Sequence, residues 1–168
     1  MPSSHSDINL IDIEASGLHC ESYPIEIAVH VNGKLSAWLI RPQPGWTHWD
    51  PDAEALHGLS YEQLMREGKS AGFVASELNR ILSGVHNVVH SDAASWDSEW
   101  LNTLYMSTGV KQAIEVRPIE DRLVATALER FTLKLEELQE AREAERHRAA
   151  ADVSMILDAY RWALAFGE

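Results

Sequence analysis

Residues 25–41 read IEIAVHVNGKLSAWLIR, and the class of the fold follows from how this stretch divides. Two apolar runs, Ile25 to Val31 and Leu35 to Arg41, flank Asn32-Gly33. Asn and Gly accept the left-handed backbone that a tight hairpin turn demands, so the runs predict a pair of antiparallel strands. Upstream, Ile8 to Ile13 is a short run of branched residues punctuated by Asn9 and Asp12, and it predicts a third strand of the same meander. Pro42, Pro44 and Gly45 end the segment.

The pattern then changes. Trp46 to Leu59, with Pro51 and Gly58, predicts a long irregular connection. Ser60 followed by Gln63 fits a capping box for a short helix, and Ser70 caps a second that runs to Ser83 and stops at Gly84. Asn87 to His90 predicts a short buried strand, Asp97 to Tyr105 a helix, Ile114 to Val116 a strand, and Pro118 the first residue of another helix. Lys134 to Phe166 contains neither Gly nor Pro, so propensity predicts helix throughout. The expected fold is α/β: a mixed sheet, antiparallel in its opening meander and parallel later, flanked by helices. No linker, repeat or low-complexity segment interrupts the chain, and one domain over residues 1–168 is expected.

At this length folding buries about 70% of the extended surface, enough for a core without staples. Cys20 is the only cysteine, so no internal disulfide forms and a reducing compartment is the default. Met1 to Asp7 is polar, and no run reaches the ~20 apolar residues of a membrane span. A soluble, cytoplasmic protein without a membrane partner is expected. Fourteen Lys and Arg against 26 Asp and Glu give a net charge of −12, which opposes wrapping of a long phosphate backbone. Glu136, Glu137, Glu140, Glu143 and Glu145 read as a solvated helix face. An acidic chain can still take the last few nucleotides of a strand where bound divalent metals invert the local potential.

Several acidic residues carry chemistry in their placement. Asp12 and Glu14 are two apart on a strand, so both carboxylates project to one face and ask for a hard cation. Taken alone, such a pair is common and reads first as a strand end with solvated acids. Asp97 shares a helix stripe with Trp100, Leu101 and Leu104, although an acid there also serves as a helix cap. His147 and Asp152 lie about 140° apart on a continuous helix, so a shared site requires a bend that no breaker residue announces.

Taken in order, Asp12-x-Glu14, Asp97, and His147 with four residues before Asp152 resemble the DEDDh branch of 3′–5′ exonucleases, which includes the proofreading subunit of replicative polymerase, ribonuclease T and oligoribonuclease. Asp12-Ile13-Glu14-Ala15-Ser16-Gly17-Leu18 is similar to the first signature, Trp96-Asp97 with Trp100-Leu101 to the second, and His147 to Asp152 to the third. Pro24-Ile25-Glu26-Ile27-Ala28 and His57-Gly58-Leu59 resemble two further elements. One departure stands out: the family's Asn four residues before the second aspartate is Ala93, and Asp92 just upstream is a candidate to replace that contact or to compete with Asp97.

The resemblance implies a ribonuclease H-like fold and hydrolysis at the 3′ end of a short single strand of DNA or RNA with two Mg²⁺ or Mn²⁺ ions. Asp12 would bridge both ions, Glu14 and Asp152 would complete the site of the attacking water, Asp97 would support the leaving-group ion, and His147 would be the general base. Ser16, Gly17 and Leu18 would hold the terminal nucleotide, with Leu18 as an apolar wedge. Trp46, Trp49 and Trp96 are candidates for base stacking, with core or loop packing the commoner use of such residues. His5, His30, His48, His86 and His90 read as surface or packing histidines. A homodimer is compatible with this reading. A non-catalytic member that binds nucleic acid or a protein partner is the alternative, supported by the altered second signature.

Overall fold

The computed structural model describes residues 8–83 and 87–165. Expectations for His5, His86, Gly84 as a helix stop and Phe166 as a helix end fall outside them.

Five strands form one sheet in the order β3-β2-β1-β4-β5: β1 Leu10–Ala15, β2 Pro24–Val31, β3 Lys34–Leu39, β4 Val88–Ser91 and β5 Glu115–Pro118. The first three are antiparallel neighbours, while β4 joins β1, and β5 joins β4, in parallel. Asn32 (φ 51) and Gly33 (φ 76) are both left-handed, which twists the turn to match the strands and sets Val31 opposite Lys34.

Helices cover both faces, which is why β2 is buried at every position. On one face Ile11, Ile13, Ile27 and Val29 pack against α3 (Ala71–Ile81) and α4 (Ala94–Thr108). On the other, Leu10 and Ala28 pack with Phe131 of α5 (Ala125–Ala141) and Val153, Ile156 and Tyr160 of α6 (Ala149–Ala165). The side-chain period of two therefore sends Asp12 and Glu14 toward α6.

Ser60 Oγ accepts from the Gln63 amide at 3.2 Å to start α2 (Tyr61–Glu67), and Ser70 Oγ accepts from Phe73 N at 3.3 Å to start α3. Four expectations need correction. The stretch from Trp46 to Leu59 is not wholly irregular: it holds α1 (Pro51–His57), with Asp50 Oδ1 accepting from Asp52 N, Pro51 in the first turn and Gly58 (φ 70) closing the end. The helix at Asp97 begins at Ala94 and reaches Thr108, and Asp97 sits in its first turn. Pro118 closes β5, and a short 3₁₀ turn over Ile119–Arg122 precedes α5. The continuous helix from Lys134 is broken: α5 ends at Ala141, a 3₁₀ turn spans Glu143–Glu145, and α6 starts at Ala149. Propensity favoured one helix, but tertiary hydrogen bonds to the connection override it. Among the described residues no helix is long and apolar enough to cross a membrane.

Candidate active site

β1 presents Asp12 and Glu14, and the first turn of α6 lowers Asp152 onto them. One carboxylate oxygen from each lies within 4.8 Å of the others. They border a cleft of about 350 Å³ whose walls include Gly17, Leu18, Leu56, His57, Arg146 and His147. Asp12 is half-buried as a residue, yet its Oδ2 is closed to solvent and no group among the described residues donates to it.

The electrostatics follow from this crowding. Burial, then repulsion by Asp97, Glu14, Asp152 and Asp92, raises the Asp12 carboxyl well above the ordinary range. Burial pushes Glu14 up to about 8, with Asp152 and Glu26 adding to it. Asp152 is raised by burial and held back by a hydrogen bond from the His147 backbone and by the charges of His147 and Arg146. Such a group stays fully ionised only if a cation compensates it. The donors are all carboxylate oxygens, and one is buried without a partner; this set fits a hard divalent ion.

Asp97 stands behind this trio. It is 1% exposed and forms no part of the cleft wall; its Oδ2 accepts from Ser91 Oγ at 2.5 Å. Burial lifts it to about 8 against the pull of Ser91, and its charge acts on Asp12. Asp92 is exposed and lines the cleft, together with Ala93 where the resembling family has Asn.

His147 reaches the cleft because the chain turns there. Its φ is +61, and its backbone N–H donates to Asp152 Oδ2 at 3.0 Å, while the Asp152 amide donates to the Arg148 carbonyl at 3.0 Å. Histidine and aspartate thus meet at one site despite their spacing.

The segment after Glu14 divides its tasks. Ser16 is buried, its hydroxyl accepting from Tyr23 N at 3.2 Å and its carbonyl from Asp50 N at 2.9 Å. Gly17 must lack a side chain, since a Cβ there would lie 2.7 Å from His48 Cε1 and 2.8 Å from Asp50 Cβ. Leu18 is 68% exposed on the cleft wall, and Leu56, also exposed, lines the same cleft. Trp46 stacks on Tyr23, and Trp49 packs edge-on against His57 and Tyr61 while donating to Glu54; Trp96 stacks on Trp100 and remains partly exposed. His30 and His90 are buried, and His48 stacks on His19.

Sequence reasoning gave no role to Glu26, His57, Leu56, Gln139 or Arg146. Glu26 is buried and accepts from both Arg148 and the Ala149 amide. His57, 5% exposed, lines the cleft with its Nδ1 fixed by the Leu59 amide at 3.0 Å. Glu26 already stood in the family-like stretch Pro24 to Ala28, and an acid within the apolar run of β2 was the further signal of a role for it.

No protein-family model and no curated protein matches the sequence. Solved structures do. Escherichia coli Exonuclease I in complex with a dA16 oligonucleotide is similar at a TM-score of 0.66 and 14% identity, over 90% of this chain and 39% of that one. The zinc-bound form of the E. coli enzyme with single-stranded DNA gives 0.67 and 13%, over 92% and 39%. A moderately thermophilic Exonuclease I from Methylocaldum szegediense gives 0.68 and 16%, over 95% and 40%. The chain spans about two fifths of the length of these proteins. At these identities the likeness is one of fold alone: the mixed five-stranded α/β sheet flanked by helices.

Proposed function

We propose that the chain is a metal-dependent 3′–5′ exonuclease acting on short single-stranded DNA or RNA. The observation that carries this reading is the convergence of Asp12, Glu14 and Asp152, one bearing a buried oxygen without a partner, beside His147. The fold likeness to exonucleases crystallised with single-stranded DNA supports it.

Asp12, Glu14 and Asp152 would hold the cations, with Asp97 supporting Asp12 from behind; we propose Mg²⁺ or Mn²⁺, two per site. Bound there, such ions acidify water and neutralise charge on the phosphate. Leu18 and Leu56 offer apolar surface for the terminal base, and Gly17, without a side chain, would leave its backbone open to the terminal nucleotide on the same cleft wall. His147 accepts the proton of the attacking water. The bond between phosphorus and O3′ breaks, O3′ takes a proton from solvent, and a nucleoside 5′-monophosphate leaves. The net charge of −12 disfavours a long strand, which suits a short substrate.

The test is a length series of 5′-labelled DNA and RNA incubated with Mn²⁺ or Mg²⁺. Stepwise shortening from the 3′ end, abolished by chelator and reduced at least about 10²-fold by Asp12→Ala, is expected. Intact substrate at every length, sugar and metal would exclude the enzyme and favour a binding protein.

A further inference from the structure

Glu26 faces Glu14 across the β1–β2 ladder and is 4% exposed, yet it stands outside the carboxylate group around Asp12. Its oxygens are engaged elsewhere. Arg148 Nε donates to Oε2 at 3.0 Å, Arg148 Nη2 donates to Oε1 at 2.9 Å, and the Ala149 amide donates to Oε2 at 3.1 Å. A guanidinium fork and a helix-start amide together satisfy a buried carboxylate, whereas losing one partner strands its charge.

This contact also explains the broken helix. The connection from Arg142 to Arg148 has no Gly or Pro, and His147 holds a left-handed backbone that is unfavourable for a non-glycine residue. Two carboxylates offset that cost: Asp152 takes the amide of His147, and Glu26 takes the side chain of Arg148 and the amide of Ala149. Only Glu26 comes from the sheet.

Resting on the nuclease reading, we propose that Glu26 and Arg148 are positioning residues, an ion pair between a buried carboxylate and a half-exposed guanidinium that ties the His147 turn to the strands carrying the acidic cluster. The proton acceptor and the cation-holding strand then move as one body. Pairing with Arg148 also keeps Glu26 from competing for the cations.

Arg148→Lys keeps the charge and loses the fork; Glu26→Gln keeps the shape and loses the charge. For each, kcat and KM on a short 5′-labelled oligonucleotide, Mn²⁺ affinity by calorimetry, and amide hydrogen exchange are compared with wild type. We expect kcat to fall about 10–100-fold while KM and Mn²⁺ affinity stay close to wild type. The amides of His147 and Ala149 should exchange faster, with Ile156 and Tyr160 in the α6 core still protected; general destabilisation would expose all four. Should Glu26→Gln fail to fold, Arg148→Lys carries the test. Unchanged kcat and exchange would overturn the proposal. So would Mn²⁺ affinity falling in step with kcat, which makes Glu26 a ligand, or an effect confined to KM, which makes Arg148 a substrate contact. A wild type that cleaves nothing sinks the nuclease reading separately, and exchange at His147 in the same variants still decides the anchoring.

Discussion

Asp12 carries a sharp imbalance, a buried carboxylate oxygen with no donor among the described residues and other acids close by. The consequence for stability has a definite sign. Burial holds Glu14 and Asp97 up to about 8 in the folded chain and raises Asp12 and Asp152, whereas unfolding returns all four to the usual carboxylate range. Between that range and pH 8 the folded state binds more protons, so its stability falls as pH rises. In chelator, Tm should therefore decline from about pH 5 to about pH 8, and Asp12→Asn should flatten the decline. Added Mn²⁺ should restore Tm more at the upper end, because it binds deprotonated ligands. A Tm that climbs across this window would contradict the crowded-acid picture. His147 behaves differently: His147→Ala should lower kcat by about 10²–10⁴-fold and leave Mn²⁺ binding largely intact. Matched losses of both would make His147 a ligand. Asp12 and Glu14 were legible as a pair from the two-residue period of a strand. His147 with Asp152 was legible only through the family resemblance and not from helix spacing, because the contact that holds the turn between them comes from Glu26, 122 residues from Arg148 in sequence.

Among the elements, those marked by local chemistry were readable. Asn32-Gly33 announced the hairpin, and Ser60 and Ser70 announced two helices, since each signal acts on the backbone within a few residues. The helix α1 was overlooked although Asp50-Pro51 and Gly58 frame it, because its seven residues are too few to show a periodic apolar face. The gap between α5 and α6 left no local trace. Packing then fixes where each helix brings its acid. Leu101, fully buried between α4 and the sheet, sets the seat of the helix that bears Asp97. Leu101→Ala should cost about 2–5 kcal/mol in urea denaturation. Met106 on the same helix is 77% exposed, and Met106→Ala should stay within about 0.5 kcal/mol. Equal costs would mean that α4 is not packed as described.

Across the whole molecule, the strand order puts β1 at the centre, so its two acids open between α6 on one face and the first turn of α4 near the other. That arrangement was readable as a class, a meander followed by alternating elements, while residues 113–146 offered little that fixed their paths. It brings Asp12, Glu14, His147 and Asp152 to one cleft, with the buried Asp97 behind Asp12. The most direct measurement is anomalous diffraction from crystals soaked in Mn²⁺, comparing wild type with Asp12→Asn. Manganese density among Asp12, Glu14 and Asp152 that vanishes in the variant is the predicted result. A wild-type cleft without manganese, or density indifferent to the substitution, would contradict the account.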